Sequence, residues 1–377
     1  MEENGKKRKH MLLGLGSLFL VAAIAYSVYW FSYGQYYQST DDAYVSGNLV
    51  ELMPQVTGNV VSVYADDTEW VKEGHPLVKL DATDAELALK NAETDLAETV
   101  RNVKQRYAAA GELRAAVGEK EAELEKAKQD LDRRMKLIAG HAVSKEELRH
   151  AQDNVAIAES SLASAEHKLS SALAAVENTT LPTHPAVLKA ETRLRQAWLE
   201  AMRTTIKAPA TGYVAKRSVQ IGQRVTSAST LMIIVPLDEI WVDANFKEDQ
   251  LRHIRIGQPV TLTSDIYGSH VVFHGKVAGL GAGTGSVFSL LPPQNATGNW
   301  IKVIQRLPVR IRLDVGEVAR HPLRIGLSMV AKVDTHDEHG GVLTRVEQEE
   351  PIYSTSVFEN GNKEVERLIA KILKDNG

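Results

Sequence analysis

Charge is absent from residues 11–31, a run of 21 positions. At ~1.5 Å rise per residue, a helix of that length spans a ~30 Å hydrocarbon core. Beyond it the pattern of apolar positions changes period twice. Residues 44–81 carry short valine-rich runs divided by glycine and turn residues, which predicts short strands. At Asp81 the composition switches, and residues 82–205 are dominated by Ala, Leu, Glu, Lys and Gln, which predicts helix. Residues 206–335 return to valine, isoleucine, threonine and glycine. The predicted order is therefore β, long α, then β again.

The helical block reads as two antiparallel arms. The first runs from about Thr83 to Ala139 and would be ~80 Å long. Its apolar spacing is imperfect, through Leu96, Val100, Val103, Tyr107, Ala110, Val117, Leu124, Leu131 and Ile138. Gly111 and Gly118 weaken it by about 1 kcal/mol each relative to alanine. Residues 140–143 form the turn. Ser144 then starts the second arm, with Glu147 three positions on, the signature of a capping box. Leu148, Ala151, Val155, Ala158, Leu162, Ala165, Leu169, Ala172 and Val176 follow in steps of three and four, a coiled-coil seam about four heptads long. Residues 178–185 interrupt it, because Pro182 and Pro185 each lack an amide donor. Helix resumes to about Thr205.

The two β blocks repeat each other. The first contains Thr57-Gly-Asn-Val60, Val71-Lys-Glu-Gly74 and Leu77-Val-Lys-Leu80. The second contains Thr211-Gly-Tyr-Val214, Val219-Gln-Ile-Gly222 and Leu231-Met-Ile-Ile234. Each is a strand, a Val-x-x-Gly corner and another strand. Two such halves predict a small barrel-like sandwich whose short strands close each other's edges, with the glycines where the backbone needs positive φ.

Charge orients the chain. Lys6, Lys7, Arg8 and Lys9 stand before the apolar run, so the positive-inside rule keeps them in the cytoplasm and places everything after residue 31 outside. Tyr26, Tyr29, Trp30, Phe31 and Tyr33 form an interfacial aromatic cluster at the far end. A cleaved signal peptide, with Ala22, Ala23 and Ala25 near the cut, is the competing reading. The bulky residues beyond those alanines favour a retained anchor. No second run of this length follows, so a single-pass protein is expected. The net charge of −4, with 24% charged residues, carries no polyanion-binding signal, and nucleic acid is not expected as a partner. The chain has no cysteine, which excludes disulfides, thiolate metal sites and a lipid-bearing cysteine.

Three stretches then carry a resemblance. They are Thr40-Asp-Asp-Ala-Tyr-Val-Ser-Gly47, Ile240-Trp-Val-Asp-Ala-Asn-Phe-Lys-Glu248 and Gly283-Thr-Gly-Ser-Val-Phe-Ser-Leu-Leu-Pro-Pro-Gln-Asn-Ala-Thr-Gly-Asn-Trp300. With a β repeat split by a helical hairpin and preceded by one apolar segment, the chain resembles the HlyD-like membrane-fusion (periplasmic adaptor) proteins, and among them the EmrA-type multidrug-export adaptors. The resemblance covers about residues 6–335. It implies a non-enzymatic, elongated mixed α and β protein of the bacterial inner membrane, with its main body in the periplasm. The parts would be a cytoplasmic basic tail (1–10), a transmembrane helix (11–31) and a split lipoyl-like β-hammerhead (44–81 plus 206–236). An antiparallel α-helical coiled-coil hairpin (82–205) and a β-barrel (237–335) would follow. The tail, 336–377, lies outside the resemblance, and residues 364–374 within it predict a short amphipathic helix.

The resemblance also implies partners. These are a major-facilitator-type inner-membrane exporter, a TolC-like outer-membrane channel and further copies of the chain, as a trimer or hexamer. A hydrophobic drug is a candidate ligand. Arg133, Leu137 and Ser144 match the spacing of a channel-docking triad at the hairpin tip. Arg133 and Leu137 share a helix face; the bland alternative makes Ser144 only a helix cap and Arg133 a solvated charge. Phe288, Leu290, Asn295 and Trp300 mark a loop that would contact the exporter or a neighbouring subunit. Trp241 is expected in the barrel core, and Phe288 and Trp300 are compatible with core or contact.

Cofactor chemistry is not expected. Lipoyl and biotinyl domains carry their group on a lysine at the turn between halves, a place taken here by residues 82–205, and Lys79 lies within a strand. Gly279, Gly281, Gly283 and Gly285 alternate but lack the following helix and Lys-Ser/Thr pair of a phosphate loop. His270 with His274, and His336 with His339, lack a clear third ligand. Asn295-Ala-Thr297 matches a glycosylation sequon, a weak signal. A type I protein-secretion adaptor is the runner-up, separable by an ATP-driven partner. A biotin or lipoyl carrier would reveal itself by added mass, and a purely structural envelope coiled coil by unimpaired export on deletion.

Overall fold

The computed structural model describes residues 3–138, 143–285, 287–288, 304–343, 350–358 and 361–377. The apolar run lies in helix α1 (Glu3–Ser32), whose described side chains are solvent-exposed. Strand β1 (Tyr37–Ser46) follows. Strands β2 (Val50–Leu52), β3 (Gly58–Val63), β4 (Trp70–Val71) and β5 (Pro76–Leu80) lead into helix α2 (Thr83–Ile138). Helices α3 (Lys145–Leu173) and α4 (Pro185–Met202) return the chain to β6 (Thr205–Lys207), β7 (Gly212–Arg217), β8 (Arg224–Val225) and β9 (Met232–Val235). Next come β10 (Trp241–Lys247), β11 (Pro259–Ser264), β12 (Gly268–Leu280) and β13 (Arg306–Leu313). Helix α5 (Val315–Arg320), strand β14 (Ser328–Asp334) and helix α6 (Gly361–Asn376) complete the described elements.

The internal repeat becomes an interdigitated sandwich. One sheet runs β2-β9-β7-β4 and the other β6-β5-β3-β8. Replacing each strand by its counterpart in the other half turns the first order into the second, so the halves exchange strands about a pseudo-twofold axis. Each half alone would leave a two-stranded pair with open edges, which is not independently stable. The two Val-x-x-Gly corners match in conformation, with φ +82° at Gly74 and +80° at Gly222. Side chains from both halves, among them Val60, Leu77, Leu80, Val214, Val225 and Ile234, share one core.

The barrel closes in the order β1-β10-β13-β12-β11-β14, with every pair antiparallel. Residues alternate inward and outward; along β10, Val242, Ala244 and Phe246 are buried between partly exposed neighbours. They meet Ala43, Val45, Leu262, Phe273, Ile311 and Ala331 in the core. The inclusion of β1 departs from the expected boundary, which assigned residues from 44 onward to the split domain. Without β1 the sheet would have two open edges at β10 and β14; its pairing with both removes them.

In the hairpin, α2 packs against both α3 and α4. Burial is densest at the base, where Leu96, Val100, Val103, Val187 and Leu194 are enclosed. Farther out the seam residues Val155, Ala158, Leu162 and Leu169 are only half-buried, because two helices cover each seam from one side. Pro185 opens α4 at the position where its missing amide costs nothing. His184 caps that helix by accepting from the Ala186 amide, and its other ring nitrogen lies 3.1 Å from the Ala175 carbonyl oxygen.

Candidate functional site

Two places collect the residues singled out by sequence: the hairpin tip and one face of the barrel. At the tip, Arg133 and Leu137 stand one turn apart near the end of α2, and both are exposed. Among the described residues Arg133 reaches only Asp130, at 3.2 Å, and that carboxylate is shared with Arg134 at 2.9 Å. Arg134 also lies 3.5 Å from the Glu147 carbonyl oxygen, so it, rather than Arg133, links the two arms. Sequence reasoning passed over Arg134, although its position four residues after Asp130 was a usable signal. Met135 adds a second exposed apolar side chain near Leu137. Residues 139–142 lie outside the described residues.

Ser144 opens α3 with φ −80° and ψ 156°, the extended geometry of a cap. Its Oγ accepts from the Glu147 amide at 3.1 Å, and its own amide donates to Glu147 Oε2 at 2.8 Å. The Ser144 amide, then its hydroxyl, hold the Glu147 carboxyl below its ordinary pKa, with Arg134 adding a smaller attraction. The capping role is therefore realised. The tip offers a guanidinium and an apolar anchor on one rigid helix face, beside a helix start locked by its own hydrogen bonds.

On the barrel, the first two stretches of resemblance become neighbours. The first forms β1 and the second β10, paired in register with Ala43 opposite Ala244. The third leads into β13, which pairs with the other edge of β10. A bulge between Thr40 and Ala43 turns Asp42 toward Arg306, and the two make a 2.6 Å ion pair. Asn245 donates to the second Asp42 oxygen at 3.1 Å, and Thr40 donates to the Asn245 carbonyl at 2.9 Å. Thus the Asp42 carboxylate joins β1, β10 and the start of β13.

Trp241 corrects an expectation. It lies half-buried on the outer face of β10, not in the core. Its indole donates to Asp243 at 2.9 Å, and the Arg310 guanidinium lies 4.0 Å above its ring. The alternation along β10 decides this: Val242, Ala244 and Phe246 point inward, so Trp241 must point out. Phe246, on the inner face of the same strand, is a core aromatic, as is Phe273. Phe288 is exposed, with its ring against Gly283, where an added Cβ would lie 2.7 Å from the ring. Leu290, Asn295 and Trp300 lie outside the described residues.

The histidine pairs separate into local contacts. His274 pairs with Glu317 at 2.8 Å, and His336 stacks on Tyr36 at 4.4 Å between centroids while bonding Asp334. Among the described residues no group of three His, Cys, Asp or Glu side chains is placed to hold a metal. Lys79 is exposed within β5, away from any turn between halves.

Comparison with known proteins matches residues 83–204 to the family model described as EMRA, alpha-helical hairpin domain. The chain is 46% identical to the multidrug export protein EmrA of Escherichia coli K12 over 98% of this chain and 95% of that protein. It is 49% identical to the fatty acid resistance protein FarA of Neisseria gonorrhoeae, over 87% of this chain and 84% of that one. A solved structure of the periplasmic adaptor protein EmrA aligns with a TM-score of 0.40 at 20% identity, covering 80% of this chain and 99% of the other.

Proposed function

We propose a function for this chain from the premise that it belongs to the EmrA family of multidrug-export adaptors. It is a membrane-fusion adaptor of multidrug efflux, and adaptors of this kind are not enzymes. Its partners are of the transporter and outer-membrane-channel kinds. In our reading, α1 crosses the inner membrane once, with the basic residues 6–9 in the cytoplasm and all later elements in the periplasm. The inner-membrane partner is an exporter of the major-facilitator type, and the outer-membrane partner is a TolC-like channel. Several copies, three or six, surround the exit path. Energy comes from the exporter; the adaptor bridges and seals.

The observation that carries this reading is the position of the tip. A hairpin whose first arm has 56 residues, ~80 Å of helix, ends in exposed Arg133 and Leu137, and among the described residues Arg133 pairs only within its own helix. An apolar anchor beside a guanidinium is the composition of a protein contact. Arg133, Leu137 and Ser144 are assigned to channel docking, with Ser144 acting through the helix start it caps. Phe288, Leu290, Asn295 and Trp300 are assigned to a contact with the exporter or a neighbouring copy. The names of the relatives, multidrug export and fatty acid resistance, suit hydrophobic or amphiphilic cargo.

The test is photocrosslinking in cells from position 137. Ile157, exposed midway along α3, is the control, because Leu162 faces the seam. Capture of an outer-membrane channel from position 137 and not from 157 is expected. A folded, abundant protein that captures none from the tip would remove the bridging role.

A further inference from the structure

The hairpin joins the sandwich through two short links. Residues 81–82 connect β5 to α2, and residues 203–204 connect α4 to β6. The links lie side by side, since the Leu80 amide donates to the Thr204 carbonyl at 2.8 Å. Two adjacent pivots define an axis. A rigid helix pair held only there stays free to rock about it, however stiff each arm is.

The segment after β14 supplies contacts away from that axis. It leaves the barrel held by bonds that include these: Gln258 donates to the Asp337 carbonyl at 2.7 Å, His253 meets Glu338 at 2.7 Å, and the Ile256 amide donates to the Gly341 carbonyl at 2.9 Å. It is next pinned to the sandwich. One oxygen of Glu73, at the first glycine corner, accepts from the Thr355 hydroxyl and from the Ser356 amide and hydroxyl, at 3.1 to 3.3 Å. Val357 and Phe358 then line a small crevice at the joint, between Leu52 and Met53 of the sandwich and Leu199 and Met202 of α4. Finally α6 lies against both α2 and α4. Its Val365, Leu368, Ile369, Ile372 and Leu373 recur at helical spacing, and Val365 and Ile369 are buried against Leu96, Val100, Val187 and Leu194. Arg195 of α4 holds Glu366 through two bonds, of 2.8 and 3.2 Å.

We propose that residues 335–343, 350–358 and 361–377 act as a strap that fixes the angle of the hairpin on the sandwich and barrel, with α6 as the removable third helix of the hairpin base. Between them these stretches touch the barrel, the sandwich and the hairpin. A helix that only lengthened the hairpin core would need neither the Glu73 pin nor the passage of Val357 and Phe358 along the joint. The strap therefore sets where the tip points, and its release would let the tip swing.

The chain has no cysteine, so two introduced cysteines carry spin labels without background. Ala109→Cys on the exposed face of α2 and Lys216→Cys on β7 report the hinge in the full-length protein. Position 109 lies 26 residues beyond Thr83, a lever of ~40 Å, so each ~10° of rocking moves the label by ~7 Å. The perturbation is Val365→Asp with Ile369→Asp, and amide exchange in α6 verifies its release. A narrow distance distribution that becomes at least twofold broader is the expected result. A second perturbation keeps the apolar face and the Arg195–Glu191 pair: Glu366→Arg sets two guanidinium groups against each other and broadens the distribution, whereas Glu366→Gln, which keeps an acceptor for Arg195, broadens it less. An unchanged width while the α6 amides exchange freely would overturn the proposal. So would equal broadening by Glu366→Gln and Glu366→Arg, since the charge contact at the hairpin base would then not set the width.

Discussion

Ser144 offers a direct test of how the tip is built. Its hydroxyl oxygen accepts the Glu147 amide at 3.1 Å, and Glu147 returns a bond to the Ser144 amide. Ser144→Ala removes the first bond and leaves the second, so one of the free amides at the start of α3 loses its acceptor. Losing such a cap costs about 1 kcal/mol, roughly a fivefold rise in the frayed population. Ser144→Asp keeps an acceptor of the right reach and is expected to hold the wild-type start. Amide exchange at Glu147 and Leu148 reads the difference, with about fivefold faster exchange for Ser144→Ala and little change for Ser144→Asp. The Glu147 carboxyl titrates below its ordinary range because it accepts from the Ser144 amide and hydroxyl and faces Arg134. A carboxyl depressed in the folded state stabilises above its unfolded pKa of about 4.3, and that contribution is lost as pH falls through the lower folded value. Fraying of the α3 start is therefore expected only in the acid limb. Exchange at Glu147 that is identical in wild type and Ser144→Ala would refute the capping account. Capture by the channel in the two variants then separates roles: loss in Ser144→Ala alone means that Ser144 acts through the cap.

Phe246→Ala should destabilise the barrel by about 3–5 kcal/mol in chemical denaturation, whereas Trp241→Ala, on the outer face, should cost only about 1 kcal/mol through its lost Arg310 contact. Leu194→Ala at the enclosed hairpin base should cost about 2–5 kcal/mol, and Leu162→Ala on the half-covered seam distinctly less. Gly74→Ala and Gly222→Ala should each cost about 1–2 kcal/mol, because both corners hold positive φ; equal stability to wild type would discount the corner argument. The strap should loosen in acid. The Glu366 carboxyl is held down by Arg195, and Glu73 by the Ser356 amide, then the Thr355 hydroxyl. Both depressed carboxyls contribute above the ordinary carboxylate range and lose that contribution as pH falls through their folded values. Lower protection factors for the α6 amides below about pH 4, with the pH dependence of intrinsic exchange divided out, check this.

Much of the architecture was legible in the chain because it rests on local periodicity. The seam of α3, the Ser144-Glu147 box and the matching glycine corners each follow from spacing within a few residues. The docking role proposed for the tip rests on resemblance, since nothing in Arg133 itself separates a docking side chain from a solvated one. Trp241 misled because residue type suggests burial while strand parity decides it, and parity depends on where β10 begins. The shared role of Asp42 with Arg306 and Asn245 was hidden, since more than two hundred residues separate Asp42 from each. Arg134 was missed because adjacent arginines look alike until the second helix is placed.

The sequence by itself determined the order of the parts: an apolar helix, a split β repeat, a long hairpin and a β block. Those features depend on short-range patterns that water and the backbone read directly, as burial at period 3.6 or 2, caps and turns. Tertiary structure decided what closes what. β1 completes a barrel whose other strands lie about two hundred residues later or more. The two halves of the sandwich trade strands, and α6 returns past the joint to the hairpin base. An open sheet edge and an uncovered apolar stripe both need a partner, but any strand or amphipathic helix meets that need in principle. Only the packed chain shows which one does.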